Sequence, residues 1–319
     1  MEILIRQDRT SYDSAEKRNV VLNNYVSQCV HNISGEQISV DISTLVQNLR
    51  ERADWYTGLI RTQEWVTDEN GNGWFNGYYD NHGRPVEGKR DNHVRMMLTG
   101  QVFSVMGNVA DDAQTAAITK SADLYLYKKE VGGYRLNTDF KEEKFDLGRM
   151  FGFAYGEKEN GAVFSHMTVM YANASFQRGL FEQAMNTPVS LMYPGIPEYF
   201  DADGKGKYPY LTGAASWYMM TMVTQIFGFR GEWGDLVLEP KILLRQFDES
   251  GNYSAQFPFR GQTYAVVYQN PQKKEYGDYR ITEVWLDGQR YAGETNTGIC
   301  IPFAVLEGKE NHTLRIVLG

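Results

Sequence analysis

DISTLVQNLRERADWYTGLIRTQEWV, residues 41–66, carries apolar side chains at Ile42, Leu45, Val46, Leu49, Ala53, Tyr56, Leu59 and Ile60. These three- and four-residue steps draw a single apolar stripe along a helix. Asp41 or Ser43 is placed to cap its N-terminus. Outward from this stretch, similar spacing predicts helices over 93–109, from Asp111-Asp112 onward, over 166–185 and over 214–227. The paired acids at 111 and 112 suit a helix N-terminus. Glycine-rich loops at 68–88, 130–139 and 193–213 separate the helices. After Gly234 the period shortens, with alternating segments such as Thr263–Tyr268, a turn at Asn270-Pro271, and the hairpin signal Asp287-Gly288. LRIVLG closes the sequence as a strand. The expected fold is α+β, with a helical array over 1–233 and a β-sandwich over 234–319. Paired helices joined by long loops fit half of an α/α toroid, whose loops build a site at one end.

The composition excludes several classes of function. Lys and Arg total 32 against 40 Asp and Glu, leaving a formal charge of −8 over 319 residues. A protein that tracks a nucleic-acid backbone wants a basic face, and one that lies on a membrane wants a basic amphipathic helix. Neither is present in the sequence. The first twenty residues lack an apolar core of signal-peptide length, and no stretch approaches a membrane span. Cys29 and Cys300 stand far apart, so a disulfide framework is not expected and a reducing cytoplasm is the simplest compartment. The Asn-x-Ser/Thr triplets at Asn32, Asn173, Asn252 and Asn311 carry little weight without a secretion signal. Two cysteines and five scattered histidines give no metal-ligand spacing, and no phosphate-cradling P-loop, dinucleotide fingerprint or GxSxG elbow occurs.

Three stretches carry chemistry. GFAYGEKENGAVFSHMTVMYANA, residues 152–174, places Lys158, Glu159, Asn160 and His166 just ahead of a helix. A histidine there, beside exposed N–H groups, suits an anion; it also suits a plain cap among solvated charges. In YPYLTGAASWY, residues 208–218, Thr212-Gly213 sits where a loop enters an apolar helix. A hydroxyl followed by a residue without a side chain lets backbone N–H groups approach a phosphate. Thr as an N-cap with Gly after it reads equally well. In GWFNGYYDNHGRPVEG, residues 73–88, Asp80 is a lone carboxylate among aromatics, a candidate acid if desolvated. The Asp-Asn-x-Gly pattern favours a tight turn with Asp80 accepting backbone hydrogen bonds.

Taken together, YYDNHGRPVEG, LTGQVFSVMGNVADD, GGYRLNTDF, GEKENGAVFSH, PGIPEYF, YLTGAASW, GDLVLEPK and FRGQTYAVVYQNP resemble, in order, the family of cellobiose and chitobiose phosphorylases, glycoside hydrolase family 94. Within it the likeness is to 1,2-β-oligoglucan phosphorylases and to the phosphorylase-like end of cyclic β-1,2-glucan synthases. The resemblance implies the later part of an (α/α)6 barrel followed by a C-terminal antiparallel β-sandwich. It also implies phosphate binding by His166, Thr212 and Gly213, and binding of sugar hydroxyls by Lys158 and Glu159. The family's Asp-Trp-Asn-Asp type acid motif does not occur here, and YYDNHGRPVEG matches a loop that follows it. The general acid is therefore expected upstream of Met1, with Asp80 a secondary candidate.

The implied reaction is reversible phosphorolysis of a β-glucan, with inversion, to α-glucose 1-phosphate. Phosphate is itself the nucleophile, so neither a second carboxylate nor a metal or organic cofactor is expected; inorganic phosphate is a substrate. The expected partners are oligosaccharide and phosphate, with an N-terminal partner chain or a second copy completing the site. The rival reading is a non-catalytic carbohydrate- or phosphate-binding remnant.

Overall fold

The computed structural model describes residues 14–29, 37, 39–90, 92–185, 196–210, 212–293 and 297–319; Asn32, Leu211 and the Pro194-Gly195 start of PGIPEYF lie outside them. Two compact units divide the chain, Met1–Trp65 and Val66–Gly319. The first holds helices Ala15–Cys29 (α1) and Ile42–Gln63 (α2). Asp41 is the α2 cap, its carboxylate accepting the Thr44 N–H at 2.7 Å.

The second unit contains helices Leu98–Met106 (α3), Asp112–Tyr125 (α4), Ser165–Gln177 (α5) and Gly213–Thr221 (α6). Asp111 and Gln114 close a reciprocal capping box on α4, as the acidic start suggested. Helix α3 packs on α5, and α5 on α6. Two helix expectations need correction, and the helix expected over 214–227 is present over 213–226. Residues 93–95 are a strand, paired with Gly88–Arg90 through a turn where Asn92 takes φ 64°, and the helix begins only at Leu98. The helix expected over 166–185 stops at Gln177, where Gly179 takes φ 74°, and one short turn, Phe181–Ala184, follows. Helix α6 widens into a π-type turn over Met222–Ile226, and Gly228 ends it with φ 64°. A Cβ at Gly228 would lie 1.9 Å from the Glu239 carbonyl oxygen, so only glycine fits that approach.

The strands of the C-terminal β region are Phe229–Glu232 (β1), Asp235–Leu238 (β2), Asn252–Phe259 (β3), Gln262–Gln269 (β4), Ile281–Leu286 (β5), Gln289–Tyr291 (β6), Ile299–Ile301 (β7) and Asn311–Leu318 (β8). They form a three-stranded sheet, β1-β2-β7, and a five-stranded sheet, β3-β4-β8-β5-β6. The hairpin expected at Asp287-Gly288 joins β5 to β6. The five-stranded sheet is not wholly antiparallel. Strands β4 and β8 run parallel from Thr263↔Asn311 to Gln269↔Val317, because the chain between them detours through β5, β6 and β7. The boundary expected between 233 and 234 falls on the turn of the β1–β2 hairpin, so the β region starts at Phe229. Nor is it a separate core. Phe176 of α5, Ile226 and Phe227 pack with Leu236, Leu238, Val266, Ile299, Leu314 and Ile316 in one buried cluster. Lys241 joins the two parts: its buried ammonium donates to the Phe176 carbonyl and to Gln225 Oε1, each at 3.0 Å.

A second core forms around Trp74, Met96, Leu98, Val102 and Tyr171. At its edge Gly77 and Gly100 meet backbone to backbone; a Cβ on Gly77 would lie 3.0 Å from the Gly100 Cα. The approach buries Glu87, which is 1% exposed. Its oxygens face the Gly77 N–H at 3.4 Å and the Gln101 amide at 3.3 Å. Burial pushes its carboxyl well above the usual carboxylate range, and the few long hydrogen bonds do not restore it. A raised folded pKa stabilises below the unfolded value and loses that contribution as pH rises through the folded one. Unfolding midpoints measured against pH are therefore expected to fall on the alkaline side in the native protein. In Glu87→Gln that fall is expected to be smaller, with near-equal stability at about pH 5.

Candidate functional site

The loop before α5 is shaped by two asparagines and two glycines. Asn137, fully buried, accepts the Gly161 N–H at 2.8 Å and donates to Asn160 Oδ1 at 3.1 Å, while Asn160 donates to the Phe153 carbonyl at 2.9 Å. Gly156, at φ 97°, lies against Ala202, where a Cβ would come within 2.7 Å. Gly161, at φ 74°, lies against the Tyr155 ring, where a Cβ would come within 2.2 Å. The loop leads into strand Val163–Phe164, which pairs with Tyr199–Phe200, and the Ser165 N–H donates to the Glu198 carbonyl at 2.8 Å. This pairing sets the entry to α5 beside the segment that leads to α6.

His166 and Gly213 consequently meet. A Cβ on Gly213 would lie 2.7 Å from His166 Cε1 and 2.8 Å from Nδ1, so the imidazole occupies the space a side chain would take. Neither helix start is capped by a side chain. Phe164 precedes α5, and Thr212 occupies the cap position of α6 without accepting an N–H from it. Thr212 Oγ1 and His166 Nε2 are both buried without a hydrogen-bond partner among the described residues. Burial lowers the His166 pKa, so the ring is neutral near pH 7. Two helix N-termini, an unused hydroxyl and an unused ring nitrogen thus share one spot, an arrangement suited to an anion.

Lys158 and Glu159 lie in the loop that leads to α5 and face different neighbours. Lys158, in the left-handed region at φ 41°, extends over the Tyr208 ring at 4.5 Å and the Tyr199 ring at 5.9 Å, with Glu198 at 4.0 Å. Tyr199 donates to Glu157 at 3.3 Å, and burial together with the Glu157 charge pushes its hydroxyl up to about 12. Glu159 pairs through one oxygen with Arg149 at 3.1 Å, and its other oxygen is buried without a partner among the described residues. Tyr199, Tyr208, Glu198 and Arg149 were not singled out in the sequence. The aromatic run around 199–210 was a usable signal, whereas Arg149 sits in a stretch with no distinguishing pattern.

Asp80 belongs to another cleft, shared with Arg84, Arg95 and Glu142. Its carboxylate accepts the N–H groups of His82 at 2.9 Å and Arg84 at 3.0 Å, and the Arg84 guanidinium at 2.7 Å. Burial alone would raise its pKa, but these bonds and the guanidinium charge outweigh it and hold the carboxyl at about 2. Asp80 is the turn-forming residue that the Asp-Asn-x-Gly pattern indicates.

A family model described as the glycosyl hydrolase 94 superfamily, catalytic domain, matches residues 29–191. Solabiose phosphorylase of Paenibacillus borealis is 22% identical over 269 residues, covering 78% of this chain and 33% of that protein. Cellobionic acid phosphorylase of Neurospora crassa is 24% identical over 211 residues, covering 59% of this chain and 26% of that protein. N,N'-diacetylchitobiose phosphorylase of Vibrio proteolyticus is 23% identical over 265 residues, covering 76% and 31%. The chain therefore spans about a quarter to a third of the length of these relatives. The family match takes in more than half of the chain, and the protein belongs to the glycosyl hydrolase 94 superfamily through its catalytic domain.

Proposed function

We propose that this chain supplies the phosphate-and-sugar part of an inverting glycoside phosphorylase site, on the later part of an (α/α)6 barrel followed by a C-terminal β-sandwich. The observation that carries this reading is the pair of uncapped helix starts at His166 and Thr212-Gly213, with two buried polar atoms left unpartnered between them. In this reading His166, Thr212 and Gly213 hold inorganic phosphate, and α5 and α6 offset its charge with their N-terminal N–H groups. Lys158 and Glu159 bind hydroxyls of the sugar being cleaved, the unused Glu159 oxygen accepting one of them. Phosphate attacks the anomeric carbon while an acid protonates the glycosidic oxygen from the opposite face, as in inverting hydrolysis with phosphate in place of water. The products are α-glucose 1-phosphate and a shortened β-glucan, with β-1,2 the proposed linkage. A carboxyl held at about 2 carries no proton near pH 7, so Asp80 is not that acid, which is assigned to a part of the enzyme outside this chain. A partner chain or a second copy would then complete the site.

Calorimetric titration with inorganic phosphate tests the anion site on the chain itself. Native protein is expected to bind. His166→Ala and Gly213→Ala are each expected to weaken binding about tenfold or more, the latter by displacing the ring while the helix stays folded. Unchanged binding in both variants would overturn the assignment.

Activity tests the placement of the acid. With α-glucose 1-phosphate as donor and sophorose as acceptor, the chain alone is expected to release no phosphate. Turnover that Asp80→Asn abolishes would place the acid on this chain after all.

A further inference from the structure

Three two-residue turns close hairpins in the β region: Trp233-Gly234, Arg260-Gly261 and Asp287-Gly288. Both residues of each turn have positive φ, at 53° and 99°, 48° and 79°, and 50° and 81°. This primed turn matches the strand twist, and its first position favours Asn, Asp or Gly because bulkier side chains are strained there. Asp287 conforms, and its carboxylate holds the Thr313 N–H, His312 and Lys309 at 2.9, 2.9 and 2.8 Å. Arg260 departs from the preference but is occupied. It donates to the Gly234 carbonyl at 3.1 Å and lies over the Phe303 ring at 3.8 Å. Trp233 also departs from it, and it is 100% exposed, with no bond or ring contact among the described residues. Strained backbone and a fully hydrated indole are two costs that nothing inside the fold offsets. The turn itself is firmly held by Arg260 from one side. From the other, the Phe259 ring lies where a Cβ on Gly231 would come within 2.8 Å.

Beside the indole lies a cleft of about 660 Å³ lined by Arg230, Glu232, Asp235, Glu239 and Thr297. Carboxylates outnumber the guanidinium three to one, and Arg230 is already paired with Glu239 at 2.9 Å. Phosphate, nucleotides and anionic lipid are therefore disfavoured by charge. The apolar side chains Val237 and Ile299 are buried, so no apolar strip is offered to a peptide helix. An aromatic face next to acceptor-rich side chains suits the apolar face and hydroxyl rim of an uncharged sugar ring. We propose that Trp233 and this cleft form a second carbohydrate-binding site for neutral oligosaccharides, with one ring stacked on the indole and hydroxyls donated to Glu232 and Asp235. The fixed turn presents the indole in place, so little ordering opposes binding. The site works independently of His166, Thr212 and Gly213.

The test follows indole N–H signals in 1H–15N spectra of the chain, whose six tryptophans make assignment by loss of one signal in Trp233→Ala direct. Neutral gluco-oligosaccharides, both β-linked and α-linked, are expected to shift the Trp233 signal at millimolar concentration, and inorganic phosphate is not. Trp233→Ala is expected to keep its unfolding midpoint and to weaken oligosaccharide binding about tenfold or more. Glu232→Ala is expected to weaken it without altering the fold, and His166→Ala to leave it unchanged. Three results would overturn the proposal: no oligosaccharide of the panel moves the signal, Trp233→Ala binds as tightly as native protein, or His166→Ala abolishes the shift. A signal that broadens with protein concentration alone, and a Trp233→Ala variant that no longer self-associates, would mark a protein contact surface and likewise overturn it.

Discussion

A single buried ammonium joins the end of helix α5 to the β region. Lys241 donates to the Phe176 carbonyl near the end of that helix, and to Gln225 at the end of the α6 extension. A cation is favoured at a helix C-terminus, and a hydrogen bond from a charged group stabilises by roughly 1.5–3 kcal/mol. Burial lowers the Lys241 pKa, and the nearby Glu239 carboxylate opposes that shift. One side chain from the β region thereby ties down the far ends of the two helical segments whose near ends meet at His166 and Gly213.

At the near ends the chain leaves polar groups unused, and it does so by denying each helix start a cap. A threonine at the cap position ordinarily accepts an N–H; here the Thr212 hydroxyl is buried without a partner among the described residues, and the His166 ring fills the space beside Gly213. Unpartnered buried donors and acceptors are unfavourable, typically by about 1–3 kcal/mol each. In the proposed reading an incoming phosphate would offset that cost by giving these groups a partner.

Much of this was legible from local pattern. The α4 start at Asp111, the α2 cap at Asp41 and the Asp287-Gly288 hairpin follow from residues that interact with near neighbours in sequence. The encounter of His166 with Gly213 was readable only as family likeness, since neither residue carries a local sign of the other. Helix lengths were overread where periodicity continued past a break. Val94 and Arg95 alternate as a strand only because Gly88 and Asn92 bend the chain, and α5 ends where Gly179 turns left-handed. The Asp80 turn was readable from Asp-Asn-x-Gly, while the buried Glu87 was not, because its environment comes from the Gly77–Gly100 approach between distant segments.

The parallel pairing of β4 with β8 has a consequence for how the protein is made. Strand β8 sits in the middle of its sheet, hydrogen-bonded to β4 on one side and β5 on the other. During vectorial synthesis, β3, β4, β5 and β6 emerge before the strand that joins their two hairpins into one sheet. Until Asn311–Leu318 leaves the ribosome, both hairpins present open edges, and the cluster that Lys241 helps to organise lacks Leu314, Ile316 and Leu318. Completion of this core is therefore a late, long-range event, and a nascent chain that stalls before β8 would carry exposed strand edges prone to wrong pairing.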